Sequence, residues 1–240
     1  AAGLKSLSAA AGTRPRGTAC QPRRLVESAE GLRRFSAFGT PPNRAAMKNL
    51  NAKGVPQLFI AATGMKWGDP KNFPWTMAFL PSQKTGTAGY VQYLLKNRPN
   101  AKIAVLNQND DFGKDYVNAL REHLGAKAGS MIVAQASYES TDPGVDSQIA
   151  MLKDSGADTF FSFASPKFAA QSIRKAHDIG WKPLFFIPYS ATSVTAVLQP
   201  AVPAHSVGGH ASAYGEDPPD PNWEQDRRQH ASTRSVPPAY

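Results

Sequence analysis

A chain of 240 residues has room for one large α/β domain or two small ones, and 41% apolar against 19% charged residues is the balance of a globular protein rather than a disordered one. No run of 18 apolar residues occurs, which argues against stable membrane insertion, and the lone Cys20 leaves neither a disulfide framework nor a cysteine metal site. The net charge of +9 is not a nucleic-acid footprint, because Lys/Arg against acids run seven to two over residues 1–34, 17 to 11 over 35–200 and three to five over 201–240, with no basic run.

Residues 1–34, opening AAGLKSLSAAAGTRPRG, are rich in Ala, Arg, Pro and Ser without a sustained period, and are expected to be irregular. No continuous apolar stretch precedes a cleavage site, so no signal peptide is read there. From about 35 to 200, short β-rich runs alternate with segments of helical period, the signature of βα units on parallel sheets. Thr40-Pro41 opens a helix that ends at Gly54. Asp142-Pro143 opens another that ends at Gly156, and Ser165-Pro166 a third that ends at Gly180. Each offers a capping side chain, a proline at the first helical position and a glycine past the end.

Apolar stripes at Val91, Leu94 and Leu95, at Val117, Leu120 and Leu124, at Val145, Ile149 and Leu152, and at Ala169, Ile173 and Ala176 predict helix faces that bury against a sheet. Strands are predicted over 57–61, 102–107, 131–136, 159–163 and 184–187, mostly continuous apolar runs, as strands covered on both faces require. Trp67, Phe73, Trp75 and Phe79 read as a connecting segment packed beneath the sheet. Residues 201–240 again lack a period and are expected to be irregular, with His205 and His210 solvated.

Enzyme signatures are absent: the chain has no G-x-G-x-x-G, no phosphate loop, no nucleophile elbow and no H-E-x-x-H, so no catalytic residue, cofactor or metal is predicted. His123 and His177 fall among charged neighbours on predicted helices and are expected at the surface. Asp110 and Asp111 stand at a helix start, where acids cap the first turn and complement its dipole.

Several segments in fixed order carry a resemblance. FSAFGTPPNRAAMKNLNAKGVPQLFIAATG, KWGDPKNFPWTMAFLPS, KIAVLNQNDDFGKDYVNALREHLG and ADTFFSFASPKFAAQSIRKAHDIGWKPLFFIP together resemble the substrate-binding proteins of branched-chain-amino-acid-type ABC transporters, over about residues 35–200. The resemblance implies two Rossmann-like lobes of the periplasmic binding protein type that close on a ligand by hinge motion. It implies a remnant of the first lobe at 35–81, a second α/β lobe with a crossover at 82–200, and a truncated first sheet with an open edge and uncovered apolar surface. It also implies a periplasmic or extracytoplasmic location, a small carboxylate or amino acid as ligand, and a transporter permease as partner. A ligand-sensing receptor on the same fold is the alternative function.

Ligands of open α/β sheets collect beyond the carboxyl ends of strands, here the turns at 36–40, 61–64 and 109–112 together with Ser165 and Tyr189. Pro41 and Pro42 have no N–H, so carboxylate recognition is assigned to the N–H groups of Gly39 and Thr40 and the hydroxyls of Ser36 and Thr63, with Ala37 and Ala62 in the same turns. By resemblance, Phe112 takes an aromatic position that lines the second lobe. Tyr189 stands where amino-acid-binding members carry an acid against the ligand's ammonium group, which points to a carboxylate without an α-amine, aromatic or branched; the alternative is that another residue replaces the acid and the ligand is leucine-like. Fragments similar to the family's, LVES with AEGLRR and DPPDPNWEQD, are separated from the rest by Arg/Pro/Ala/His-rich stretches, as insertions or deletions in the coding sequence would produce.

Overall fold

A computed structural model describes residues 34–201 and 209–212; the sequence fragments read at both ends, apart from Arg34, and His205 lie outside them. The first sheet has three parallel strands in the order β1-β2-β3: β1 (Arg34–Phe35), β2 (Gln57–Ile60) and β3 (Thr76–Ala78). Helix α1 (Thr40–Ala52) crosses between β1 and β2, with Pro41 and Pro42 in the first turn, where a missing N–H breaks no helical bond. Gly54, at φ 64°, reverses the chain past its end in the left-handed conformation that suits glycine. Ala46, Met47 and Leu50 form the buried stripe of α1, and Met47 joins Ile60, Ala62 and Trp67 in a small core.

On the opposite face of this sheet large aromatic side chains stand exposed. Phe35 and Phe79 are 66% and 67% exposed, and Phe59 between them is 37% exposed. Their rings meet edge to face, with centroids 5.3 Å apart for Phe35–Phe59 and 6.4 Å for Phe59–Phe79. The aromatic segment expected to pack as one unit is therefore divided: Trp67 is core and Phe73 partly covered, while Trp75 and Phe79 face outward.

Helix α2 (Gln83–Asn97) leads into the second sheet, which is parallel throughout in the order β5-β4-β6-β7-β8. Its elements are β4 (Ile103–Gln108), α3 (Asp111–Leu124), the one-turn α4 (Ala128–Met131), β5 (Ile132–Tyr138), α5 (Asp146–Asp154), β6 (Thr159–Phe163), α6 (Pro166–Asp178), β7 (Leu184–Ile187) and β8 (His210–Ala211). All six residues of β4 are buried. Ile103 and Val105 point to α2 and α3, Ala104 and Leu106 to α5 and α6, so period-2 alternation fills two cores and the strand reads as one apolar run. Fully covering a side chain such as Leu106 or Leu120 contributes roughly 1.5–3 kcal/mol.

Four expectations are corrected. Helix α5 starts at Asp146 rather than at Asp142, because Asp142 closes a turn with Glu139: its carboxylate accepts from the Glu139 N–H at 2.8 Å, and its own N–H donates to the Glu139 carbonyl at 3.0 Å. The predicted side-chain caps at Thr40 and Ser165 do not form; Gly39 precedes α1, and the Ser165 hydroxyl faces Tyr138. The tail contains a strand, since β8 pairs with β7, and His210 is half-buried there, 4.5 Å from the Tyr93 ring and 5.3 Å from that of Phe186. His177 is exposed as expected, while His123 is half-buried with Nε2 2.9 Å from the Lys84 carbonyl.

Candidate ligand cleft between the two sheets

The order of the second sheet creates a crevice. From β4 the chain passes through α3 to β5 at the edge, then returns by α5 to β6 on the other side of β4, so α3 and α6 lie on opposite faces. At such a switch point the carboxyl ends of the two strands and the helix starts beyond them enclose a ligand-sized space. Phe112, half-buried, stands in the first turn of α3, and Ser165 directly precedes α6, which puts one predicted residue on each wall.

The α3 wall is rigid. The Asp110 carboxylate accepts from the Gly113 N–H at 3.2 Å and also from the Gln108 side chain. A Cβ on Gly113 would lie 2.0 Å from the Gln108 carbonyl oxygen, so only glycine lets the helix start this close to the strand end. On the α6 wall, the Ser165 N–H donates to the Tyr138 hydroxyl at 2.9 Å, and that hydroxyl donates to the Gln108 side-chain oxygen at 3.1 Å. Tyr138 thus joins the two walls, and burial pushes its phenol up to about 12. Tyr189 is half-buried at the start of a short 3₁₀ turn, its carbonyl accepting from the Thr192 hydroxyl at 2.8 Å.

The turns of the first sheet are organised by Asn43. Buried in α1, its amide donates at 2.7 Å to the carbonyls of both Ala37 and Gly39, and its own oxygen accepts from Gln57 at 2.8 Å. Ala37 and Ala61 are tied by a 3.1 Å backbone bond, and the Gly39 N–H donates to the Ala61 carbonyl at 3.3 Å. The Gly39 N–H, assigned to an anion from the sequence, is therefore engaged with the turn after β2. Thr40 is 4% exposed, its hydroxyl buried with no hydrogen-bond partner among the described residues, whereas Ser36 is exposed with φ 46°.

The two sets of turns meet at Thr63, which is buried. Its hydroxyl lies 3.5 Å from that of Tyr116 on α3. Its carbonyl accepts from the Gln83 N–H at 2.8 Å, while the Gln83 amide donates to the Phe112 carbonyl at 3.0 Å. Further out, Arg44 of α1 pairs with Asp111, and the Met65 N–H donates to the Asp115 carboxylate, whose pKa burial raises against the opposing pull of Lys66. Pro41, Arg44, Ala45, Lys48, Asp110 and Asp111 line an open groove of about 490 Å³ beside this junction.

Sequence reading missed Asn43, Gln57, Gln83, Tyr116 and Tyr138. Asn43 did leave a signal, because it lies three, four and seven residues before Ala46, Met47 and Leu50, on a stripe otherwise apolar. Among the described residues no group of three His, Cys, Asp or Glu side chains is placed to hold a metal, and no helix is long and apolar enough to cross a membrane.

Two parallel α/β sheets that meet where Thr63, in the turn after β2, approaches Tyr116 of α3 are the arrangement of a two-lobed binding fold. The chain belongs to the periplasmic binding protein family, whose model matches residues 7–229. A substrate-binding periplasmic protein from Ralstonia solanacearum is similar at TM-score 0.71 and 19% identity, over 80% of this chain and 53% of that one. A possible leucine/isoleucine/valine-binding protein from Rhodopirellula baltica SH 1 is similar at TM-score 0.76 and 18% identity, over 95% and 62%. An ABC transporter solute-binding protein from R. palustris in complex with 4-hydroxybenzoate is similar at TM-score 0.68 and 15% identity, over 80% and 52%. These likenesses establish the fold, and the chain spans a little over half the length of each. No curated protein matches the chain.

Proposed function

We propose that this chain forms the ligand-holding part of an extracytoplasmic solute-binding protein that captures a small carboxylate or amino acid and delivers it to an ABC transporter permease. The family consists of non-enzymatic binding proteins. Residues 35–81 act as one lobe and 82–200 as the other. The ligand's carboxylate meets Thr40 and Thr63, with Ser36, Ala37, Gly39 and Ala62 shaping that wall, and its body lies among Phe112, Ser165 and Tyr189. The observation that carries this reading is the junction itself, where the Thr63 and Tyr116 hydroxyls stand 3.5 Å apart at the facing ends of the two sheets.

Within that class, the ligand is a carboxylate without an α-amine, aromatic or branched. Tyr189 offers a ring and a hydroxyl but no carboxylate, and cannot offset the desolvation of an ammonium group as an acid would. A similar fold is known with 4-hydroxybenzoate bound. Titration calorimetry of the full chain with benzoate, 4-hydroxybenzoate, 4-methylpentanoate and leucine tests the proposal. Binding of an acid from the first three, with leucine weaker, is expected; tight leucine binding with no response to the acids overturns the ligand class, and no binding to any of the four overturns the function.

A further inference from the structure

Among the described residues the chain passes between the two sheets once, from β3 into α2. Where it crosses, the Gln83 N–H donates to the Thr63 carbonyl at 2.8 Å and the Gln83 amide to the Phe112 carbonyl at 3.0 Å. A single crossing ties the two sheets at one place and leaves the rest of their contact to side chains. Beside it, the side chains that meet are charged.

Helix α3 turns an acidic stripe toward the first sheet. Asp111 and Asp115 are four residues apart and so share a helix face, where like charges repel; Lys114 pairs with neither of them. Arg44 and Lys48 stand in the same relation on α1, and both line the open groove beside Asp111. Arg44 pairs with Asp111, and its charge also acts on Asp115. The half-buried Asp115 carboxylate accepts from the Met65 N–H and lies in the field of Lys66, both in the 3₁₀ turn Met65–Gly68 that follows β2. Asp110 takes no part, since its carboxylate accepts from the Gly113 N–H and the Gln108 side chain of its own lobe. Each stripe is thus unfavourable alone and is relieved when the other faces it.

We infer that Asp111 and Asp115 of α3, facing Arg44 of α1 and Lys66 of the turn after β2, form an electrostatic clasp that holds the two lobes together before any ligand is bound. The clasp takes from the proposed function only the division into two lobes. Its parts are weak singly: the Arg44 and Asp111 side chains are 45% and 31% exposed, and pairs so open to solvent contribute little and are screened by salt. Such a clasp suits a joint that must reopen, because an equilibrium between joined and separated lobes responds to small differences in energy.

Pulsed electron spin resonance on the full chain, without ligand, measures the separation. Nitroxides are placed at Lys71→Cys on the first lobe and Lys127→Cys on the second, both exposed positions, in a Cys20→Ser background. In dilute buffer a short distance is expected to dominate. Salt at about 1 M, where charges are screened beyond about 3 Å, is expected to raise the share of longer distances about 2–5-fold, and Asp111→Asn in dilute buffer by a similar factor. Arg44→Asp, which sets two acids against each other, goes further, and Arg44→Asp combined with Asp111→Arg returns the distribution toward that of the wild type. Distances that respond neither to salt nor to Asp111→Asn overturn the clasp, and so does an exchange of charges that recovers nothing. Should Arg44→Asp fail to fold by near-UV circular dichroism, salt and Asp111→Asn decide alone. No ligand enters the measurement, so its outcome is separate from calorimetry: unresponsive distances in a chain that binds the acids overturn the clasp and leave the function, whereas responsive distances in a chain that binds none support the clasp and leave the function overturned.

Discussion

Tyr138 shows how one buried hydroxyl organises a cleft it need not touch. It lies at the carboxyl end of β5, accepts from the Ser165 N–H and donates to Gln108, so the turns after β4 and β6 share one atom. Replacing it with phenylalanine leaves the Gln108 oxygen and the Ser165 N–H unsatisfied in a buried place and is expected to cost about 1–3 kcal/mol in denaturant unfolding. The pH dependence has a definite sign. The phenol is raised from 10.0 in the unfolded chain to about 12 in the folded one, so the unfolded chain loses its proton first. Its contribution to stability is present in full below pH 10.0 and is lost as the pH rises towards about 12. Unfolding free energies of wild type and Tyr138→Phe measured across that window should converge; a constant difference would show that the hydroxyl does not titrate as its burial requires.

At the scale of elements, α1 and the turns beside it depend on a polar residue in the middle of an apolar stripe. Asn43 supplies two donors and an acceptor to Ala37, Gly39 and Gln57, partners that approach from the turn after β1 and from the start of β2. Leucine at this position would continue the stripe and suit the helix, but would strand two carbonyls and an amide where water does not reach. Asn43→Leu is expected to lower stability by about 2–4 kcal/mol, more than a surface substitution would, and to weaken carboxylate binding, because the Thr40 turn loses its internal support. Equal stability of the variant in chemical denaturation would show that helix propensity, not the network, holds this turn. The contrast with α5 is instructive. There Asp142 had an equal claim as a cap, and the local bonds to Glu139 drew it into a turn instead.

On the scale of the molecule, the two sheets are unequally finished. The second carries helices on both faces and two cores, whereas the first presents Phe35, Phe59, Met77 and Phe79 outward on a three-stranded layer. Contiguous exposed aromatic surface of this kind invites association and binds hydrophobic dyes. The chain is expected to enhance the fluorescence of an anilinonaphthalene dye in its native state, and Phe79→Lys, at 67% exposure, should reduce that signal while shifting stability by no more than about 0.5 kcal/mol. A native chain that leaves the dye dark would mean that this face is covered in solution.

The alternation of strands and helices was legible in the amino-acid sequence because it rests on local physics, whereas the family was legible only through the resemblance of several segments in fixed order. Apolar runs with period 2 or 3.6, prolines in first turns and glycines past helix ends act through near neighbours, and 159–163 and 184–187 emerge as strands with the bounds expected of them. The positions of the turns beyond β1, β2, β4 and β6 followed from the same reading, and with them Thr40, Thr63, Phe112 and Ser165. Only the tertiary structure decided which donors in those turns are engaged and which hydroxyls meet. The bond from Gly39 to Ala61 joins residues 22 apart in sequence, Tyr138 to Ser165 spans 27 and Thr63 to Tyr116 spans 53, and no periodicity reaches across such distances. Strand pairing at 76–78 and 210–211 was hidden for a related reason: such short segments carry too little pattern of their own, and become strands because a longer neighbour offers them an edge.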